Sequence, residues 1–557
     1  MAKTQPDETA PLIANGHDVA RKPRLPVKQL TILIICRLAE PITLTSILSY
    51  LPQMIRSFGV PETDVGFWVG LTASSFSIAQ CLTGVAWGRL SDRVGRKPVI
   101  LCGMLGMLIS VLVFGFASSI PMAMISRSCI GLLNGNVGIL RTVVAELVPE
   151  RELQPQAFSL LPLVWSIGSI AGPILGGFLS EPAKKYPTMF PPGGFFDRHP
   201  FALPNLFTAG ILFNTLVFGA LFLDETLVGQ RHRYDPGRAI GRQIEGFMHR
   251  FFRWSSLEDS DSDEEAETAN AAPTTSDEES ILRTYSALKA STSSSTLPEQ
   301  QQQSHQHQHH QLAALPWSSV LTQQSIYNIS IYFFIAIHTV SYDSILPVFF
   351  STTPPQDLTP TPTISSSSTS WSLFHIPGGF GLSTSQIGLI YSAHAVVAML
   401  LQFYLYPPIA RYFGSVRLLT FSAAIYPFIY VLTPYTLPLA QYSVRACFAG
   451  WTAIILLKSI TGVFAFTSST ILITNTATSI RVLGTLNGFA TSVAAAGRAV
   501  GPSTFGWLFS IGQKNWWTTV PWVGLAIVSG MMWIWIPSLE EGAGVRAEES
   551  ESSDEDE

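Results

Sequence analysis

Charge is what this sequence has least of. Asp, Glu, Lys and Arg together make up 13% of the 557 residues, whereas hydrophobic residues make up 47%. A soluble chain of this length would form several domains with charged surfaces, and so little charge argues against that class. Most of the charge sits in the tails and one central segment, so the remainder is more apolar still. Cysteine is also scarce. Cys36, Cys81, Cys102, Cys129 and Cys447 all lie in apolar runs and none forms a C-x-x-C pair. They read as small apolar helix residues, not as a disulfide framework or a zinc site. No Walker-type glycine-lysine loop is present, which removes nucleotide-driven pumping. No catalytic constellation stands out, so neither an enzyme nor a cofactor is expected. The N-terminal stretch lacks the pattern of a cleavable signal peptide.

What is there is a series of apolar runs of membrane-spanning length, roughly 20 residues each. The first six fall at about 29–51, 65–87, 98–117, 122–147, 157–180 and 203–223. Six more fall at about 322–350, 384–407, 415–435, 446–475, 484–510 and 517–537. The expected organisation is an N-terminal tail (1–28), a six-helix bundle (29–223), a linker (224–316), a second six-helix bundle (317–537) and an acidic tail (538–557). Arg21, Lys22, Arg24 and Lys28 form a basic collar that favours a cytoplasmic N-terminus, and the even number of spans puts the C-terminus on the same side. The run Glu8-Thr-Ala-Pro-Leu12-Ile13 resembles an acidic dileucine sorting signal. It leaves the vacuolar membrane and the plasma membrane as the alternatives.

The linker begins with Arg231, Arg233, Arg238, Arg242, Arg250 and Arg253 interleaved with Ile240, Phe247, Phe251 and Phe252. That pattern suits a basic amphipathic helix on the inner leaflet. An acidic Ser-rich block and a Gln/His tract follow, a composition that cannot bury a core and reads as a disordered cytoplasmic linker. His305, His307, His309 and His310 carry imidazoles of the kind zinc favours. A low-complexity tract is the plainer reading, and no metal site is expected.

Between the second and third runs lies Gly88-Arg-Leu-Ser-Asp92-Arg93-Val-Gly95-Arg96-Lys97. A charge-dense turn cannot sit in hydrocarbon, and its basic excess places it on the cytoplasmic face. The two halves also echo each other. Arg127-x-x-x-Gly131 recurs as Lys458-x-x-x-Gly462, and Gly168-x-x-x-Gly172-Pro173 recurs as Gly497-x-x-x-Gly501-Pro502. Pro408-Ile-Ala-Arg411-Tyr-Phe-Gly414 is a weak echo of the charged turn without its carboxylate.

These features resemble the major facilitator superfamily of secondary transporters. The fifth run, Gly168-Ser-Ile-Ala-Gly172-Pro173-Ile-Leu-Gly176-Gly177, is similar to the antiporter motif of its drug:proton branch. Pro182-Ala-Lys-Lys-Tyr-Pro187, His199-Pro-Phe-Ala-Leu-Pro204 and Asp224-Glu-Thr-Leu227 narrow the resemblance to zinc-induced-facilitator-like proteins and their fungal relatives. The resemblance implies an all-α fold of twelve membrane helices in two pseudo-symmetric six-helix bundles. It implies a monomer in the bilayer that exchanges protons for small organic molecules, metal chelators and their complexes included, with no nucleic-acid partner. Uptake by proton symport and a transporter-shaped sensor are the alternatives. The chain departs from the plant members in lacking their Cys-rich N-terminal motif and in its long central loop.

Several residues then become candidates. Asp92 can cap a helix start, and the resemblance suggests the eleventh helix, near Gly484 to Asn487, with Arg96 pairing Glu146. This latch would close the cytoplasmic side in an outward-open state. Glycines four apart let backbones approach and Pro173 favours a bend, as a sliding seam between the halves needs. Charges within a membrane normally face a cavity or a partner. Arg37 and Glu40 lie in the first helix, Arg127 in the fourth, His338 and Asp343 in the seventh and Lys458 in the tenth. Those four helices line the central cavity in the fold that this chain resembles. Glu40 and Asp343 are the expected proton carriers. Glu40 is alternatively a static partner of Arg37, Asp343 a residue of the wet outer mouth, and His338 a hydrogen-bonding partner of a neighbouring helix.

Overall fold

The computed structural model describes residues 25–148, 153–231, 233–258, 321–353, 376, 379–439, 443–477, 480–515 and 517–542. The dileucine-like run, the acidic and His-containing parts of the linker and the acidic tail lie outside these residues. The first half holds α1 (Val27–Ser46), α2 (Val65–Val94), α3 (Arg96–Gly115), α4 (Ile120–Leu133 continued by Asn136–Leu147), α5 (Gln154–Leu179) and α6 (Ala202–Phe222). The second holds α7 (Gln323–Ser351), α8 (Thr384–Leu400, then a π-helical turn Leu401–Leu405 and Tyr406–Phe413) and α9 (Ser415–Tyr435). It closes with α10 (Val444–Asn475), α11 (Ile480–Lys514) and α12 (Val520–Gly530 with a 3-10 turn Met531–Ile534). Among the described residues, ten helices are long and apolar enough to cross a membrane. The broken α4 and the more polar α11 complete the set of twelve. All backbone polar groups of such a span must be satisfied within the segment or by its neighbours.

Small residues decide how closely the helices pack. On α5, a side-chain carbon at Gly168 would sit 2.6 Å from Pro41, one at Gly172 would sit 2.8 Å from the Ile42 carbonyl, and one at Gly176 would sit 1.9 Å from the Ser46 carbonyl. The glycine stripe therefore seats α5 on α1, inside the first half. In the second half Gly497 and Gly501 press α11 onto α7 at Phe333, Ile337 and Ser341 in the same way. The other edge of the motif meets the opposite half: Gly177 lies against Thr384 and Gly388 of α8, and the Pro173 carbonyl against Gly388. The Gly131 echo is not a packing equivalence. Gly131 lies against the Phe76 carbonyl of α2, whereas Gly462 faces open space.

Two further corrections concern local structure. The charged motif is not an extended turn, because α2 runs helically to Val94 and α3 starts at Arg96. Gly95 alone breaks the path, at φ +115°, a conformation that L side chains rarely adopt. Within the linker, Pro236–Glu258 is a helix and not a disordered stretch. Its Gly237 and Gly241 lie against the Ala220 and Leu221 carbonyls at the end of α6. Lys28 to Glu245 (2.9 Å), Arg238 to Asp224 (2.6 Å) and Lys97 to Asp235 (2.5 Å) fasten it to the first half. Although burial raises it, the Asp235 pKa is held below the usual carboxylate value by its bond from Lys97, and the Lys28 bond does the same for Glu245.

Candidate functional site: two helical halves and their buried charges

The two halves meet along α2–α11 and α5–α8. Gly70 lies so close to α11 that a side-chain carbon there would be 2.0 Å from the Pro502 carbonyl, and the Ser503 amide donates to the Ser74 hydroxyl at 3.0 Å. Gly388 of α8 sits over the Pro173 carbonyl, and Ser392 donates to the Ile170 carbonyl at 2.7 Å. All these contacts lie toward the face opposite the Gly88–Lys97 motif, termed here the far side. That side is sealed, and three cations reach across it: Arg56 to Ser351 (2.7 Å), Lys185 to Thr384 (2.6 Å) and Lys514 to Asp64 (2.5 Å).

Toward the motif side the halves are joined by Arg141, which donates to the Thr491 hydroxyl at 3.4 Å, and by Cys81 against the Ser492 carbonyl at 4.0 Å. Asp92 is 63% exposed and bonds Arg96 at 2.5 Å. It makes no described contact with α11, whose first side chains, 480–484, lie outside the described residues. The expected Asp92 cap falls on that stretch. Arg96 does meet Glu146, at 3.0 Å, within the first half. Arg93 is exposed, and Gly88 has open space around it. Lys97 is buried and turned to the Ala220 carbonyl and Asp235.

A carboxylate that sequence reasoning overlooked completes this corner. Glu225, just past α6, accepts the Arg96 amide at 2.8 Å and the Lys97 amide at 3.1 Å. It caps α3 from 129 residues away, satisfying amides that have no partner within the helix. The second half repeats the device: Gly414 takes φ +80° and Glu541 accepts the Val416 amide at 3.0 Å. The weak echo at Pro408–Gly414 thus has its carboxylate, supplied from after α12. Glu225→Gln should cost about 1 kcal/mol of stability, the scale of a lost cap, read as a lower Tm of the purified protein with helicity unchanged.

The deep charges fall into separate groups. Arg37 and Glu40 form a buried ion pair one turn apart on α1. They line a small void of about 10 Å³ with Ile100 and Met104 of α3, Leu140 of α4 and Leu212 of α6, room for roughly one water. The pair sits on a cavity-lining helix but turns into the first bundle, which corrects the expectation that it faces the central cavity. The reason is α4. Its helix breaks at Asn134-Gly135, and the freed groups collect partners there: the Asn134 side chain donates to Glu40 at 2.8 Å, and the Trp87 indole donates to the Leu132 carbonyl at 2.6 Å. Asn-Gly is a turn signal legible in sequence, masked by the apolar residues around it. Arg127 is buried under the Phe76 ring, 5.1 Å from its centroid, with Nε and Nη1 unpartnered.

In the second half Lys458 of α10 pairs with Asp343 of α7 and lies 5.0 Å over the Tyr342 ring. The Asp343 side chain is 36% exposed, and its main-chain carbonyl accepts from Tyr391 at 2.9 Å. His338 is fully buried and shares a 2.6 Å hydrogen bond with Tyr430 of α9. It acts as an interhelical tie, the plainer of its two expected roles. No cluster of metal-ligating side chains occurs among the described residues.

Two six-helix halves that meet along α2–α11 and α5–α8 and carry ion pairs within their spans fit a membrane transporter. The Major Facilitator Superfamily model matches residues 33–359, and the chain belongs to that family. The major facilitator superfamily multidrug transporter mfsB of Aspergillus fumigatus is 37% identical over 91% of this chain and 82% of its own length. Protein ZINC INDUCED FACILITATOR-LIKE 1 of Arabidopsis thaliana is 26% identical over 87% of this chain and 84% of its own. The human organic anion transporter MFSD10 shares the fold, with a TM-score of 0.53 and 18% identity over 92% of this chain and all of its own.

Proposed function

We propose that this protein is a proton-coupled antiporter that exports or sequesters small organic molecules. The observation that carries the reading is the Glu40 site: a carboxylate within a span, held by Arg37 and Asn134 beside a water-sized void. Gain of a proton there cancels the charge that Arg37 and Asn134 bind, so protonation and the packing of α1 on the α4 break are linked. Asp343 with Lys458 is a second exchangeable pair, placed for substrate or proton contact, and Arg127 is a buried cation for either. The relatives named multidrug transporter and efflux pump support export. The basic motif face is taken as cytoplasmic, both termini with it. The membrane is vacuolar or plasma membrane, and the monomer holds the whole path.

Flux in proteoliposomes with an imposed pH gradient tests this, screened over drug-like compounds and metal chelates. The expected result is counter-transport that stops when the gradient is collapsed by an ionophore. Solute movement indifferent to the gradient overturns the coupling, and co-directional movement overturns the antiport.

A further inference from the structure

The stretch Pro182-Ala-Lys-Lys-Tyr-Pro187 has no part in the reading above, yet it touches both halves. It begins with a strained residue. Glu181, at φ +52°, is the non-glycine with a positive φ among the described residues. Such strain persists only where surrounding structure imposes it, and it gathers at functional positions. Here the Glu181 amide bonds the Pro200 carbonyl at 2.8 Å, and the left-handed step folds the chain back on the end of α5. Lys185 is thereby aimed at the seam. Its ammonium bonds the Gly177 carbonyl and the Ser180 hydroxyl (3.1 Å) of the first half, and the Thr384 hydroxyl (2.6 Å) of the second. Ser180 and Thr384 also bond each other, at 2.9 Å. A cation at the α5 C-terminus is favoured by the helix dipole, and Thr384 is the first residue of α8, just after its Ser383 cap.

We propose that Lys185 and Thr384 are gating residues: a cationic clasp that holds the far side shut and must part each time the transporter opens there. It is the counterpart, on the other face, of the latch that the family resemblance suggests for Asp92. The charged groups nearest the clasp are Glu181 and Lys184, which pair with each other at 2.5 Å; the α8 start offers none. Burial pushes the Lys185 amine down to about 8, against the attraction of Glu181. The three hydrogen bonds that the ammonium donates favour its charged form and oppose that push.

Spin labels at Met189→Cys and Trp517→Cys, exposed far-side positions on opposite halves, report opening by pulsed dipolar spectroscopy in nanodiscs of a variant without native cysteines. Lys185→Met and Thr384→Val should each raise the long-distance population about tenfold, the scale of one charge-assisted hydrogen bond. The double variant should do no more than either alone. Unchanged distances in both variants, or effects that simply add, would overturn the clasp. The readout needs neither substrate nor gradient, so its failure is separable from that of proton coupling.

Discussion

Gly176→Leu should all but abolish recovery of folded protein. Any side-chain carbon at that position lies 1.9 Å from the Ser46 carbonyl oxygen, and the obstructing atom belongs to the main chain of α1. Overpacking of side chains usually costs about 1–3 kcal/mol because neighbours can rotate away. A backbone carbonyl inside a helix cannot, so the cost should exceed that range and consume much of a typical stability of about 5–15 kcal/mol. Gly210→Leu is the matched control, as nothing lies within 4 Å of a side-chain carbon there. Size-exclusion profiles of detergent extracts should show a monodisperse peak for the control and aggregate for Gly176→Leu. Equal recovery of both would mean that α1 and α5 are not in register.

Glu40→Gln should reduce gradient-driven flux to the rate seen without a gradient. Glutamine keeps the size of the side chain and a partner for Asn134, but cannot release a proton. It also strands Arg37, and breaking a buried pair costs roughly 3–5 kcal/mol. A variant carrying both Glu40→Gln and Arg37→Gln removes the stranded charge and should recover expression without recovering coupling. That contrast separates a proton carrier from a structural ion pair. Gradient-driven flux that survives in the single variant would move the role to Asp343, and Asp343→Asn should then be the uncoupled one.

The fold was legible because membranes leave the chain few options. Long apolar runs, a basic turn and the repeated small-residue pattern are local signals, and each maps onto a helix or a helix contact. Direction was less legible. A glycine stripe says that something approaches closely, not what; here it is α1 for Gly168, Gly172 and Gly176, and α8 for Gly177. Arg37 and Glu40 share a face by spacing, yet whether that face meets the central cleft or α3 depends on the break in α4. The caps by Glu225 and Glu541 join residues more than a hundred positions apart, and no window on the sequence spans that distance. The Asp92 cap expected from the resemblance falls on the α11 start, where side chains 480–484 lie outside the described residues.

The paired caps carry a consequence for the working cycle. Each ties the third helix of a half to the exit of its sixth, and neither crosses to the opposite half. A movement of one half against the other would leave both fastenings intact. The durability of the molecule and the ease of its motion rest on different bonds, so selection can loosen the hinge surfaces without unravelling the blocks that swing on them.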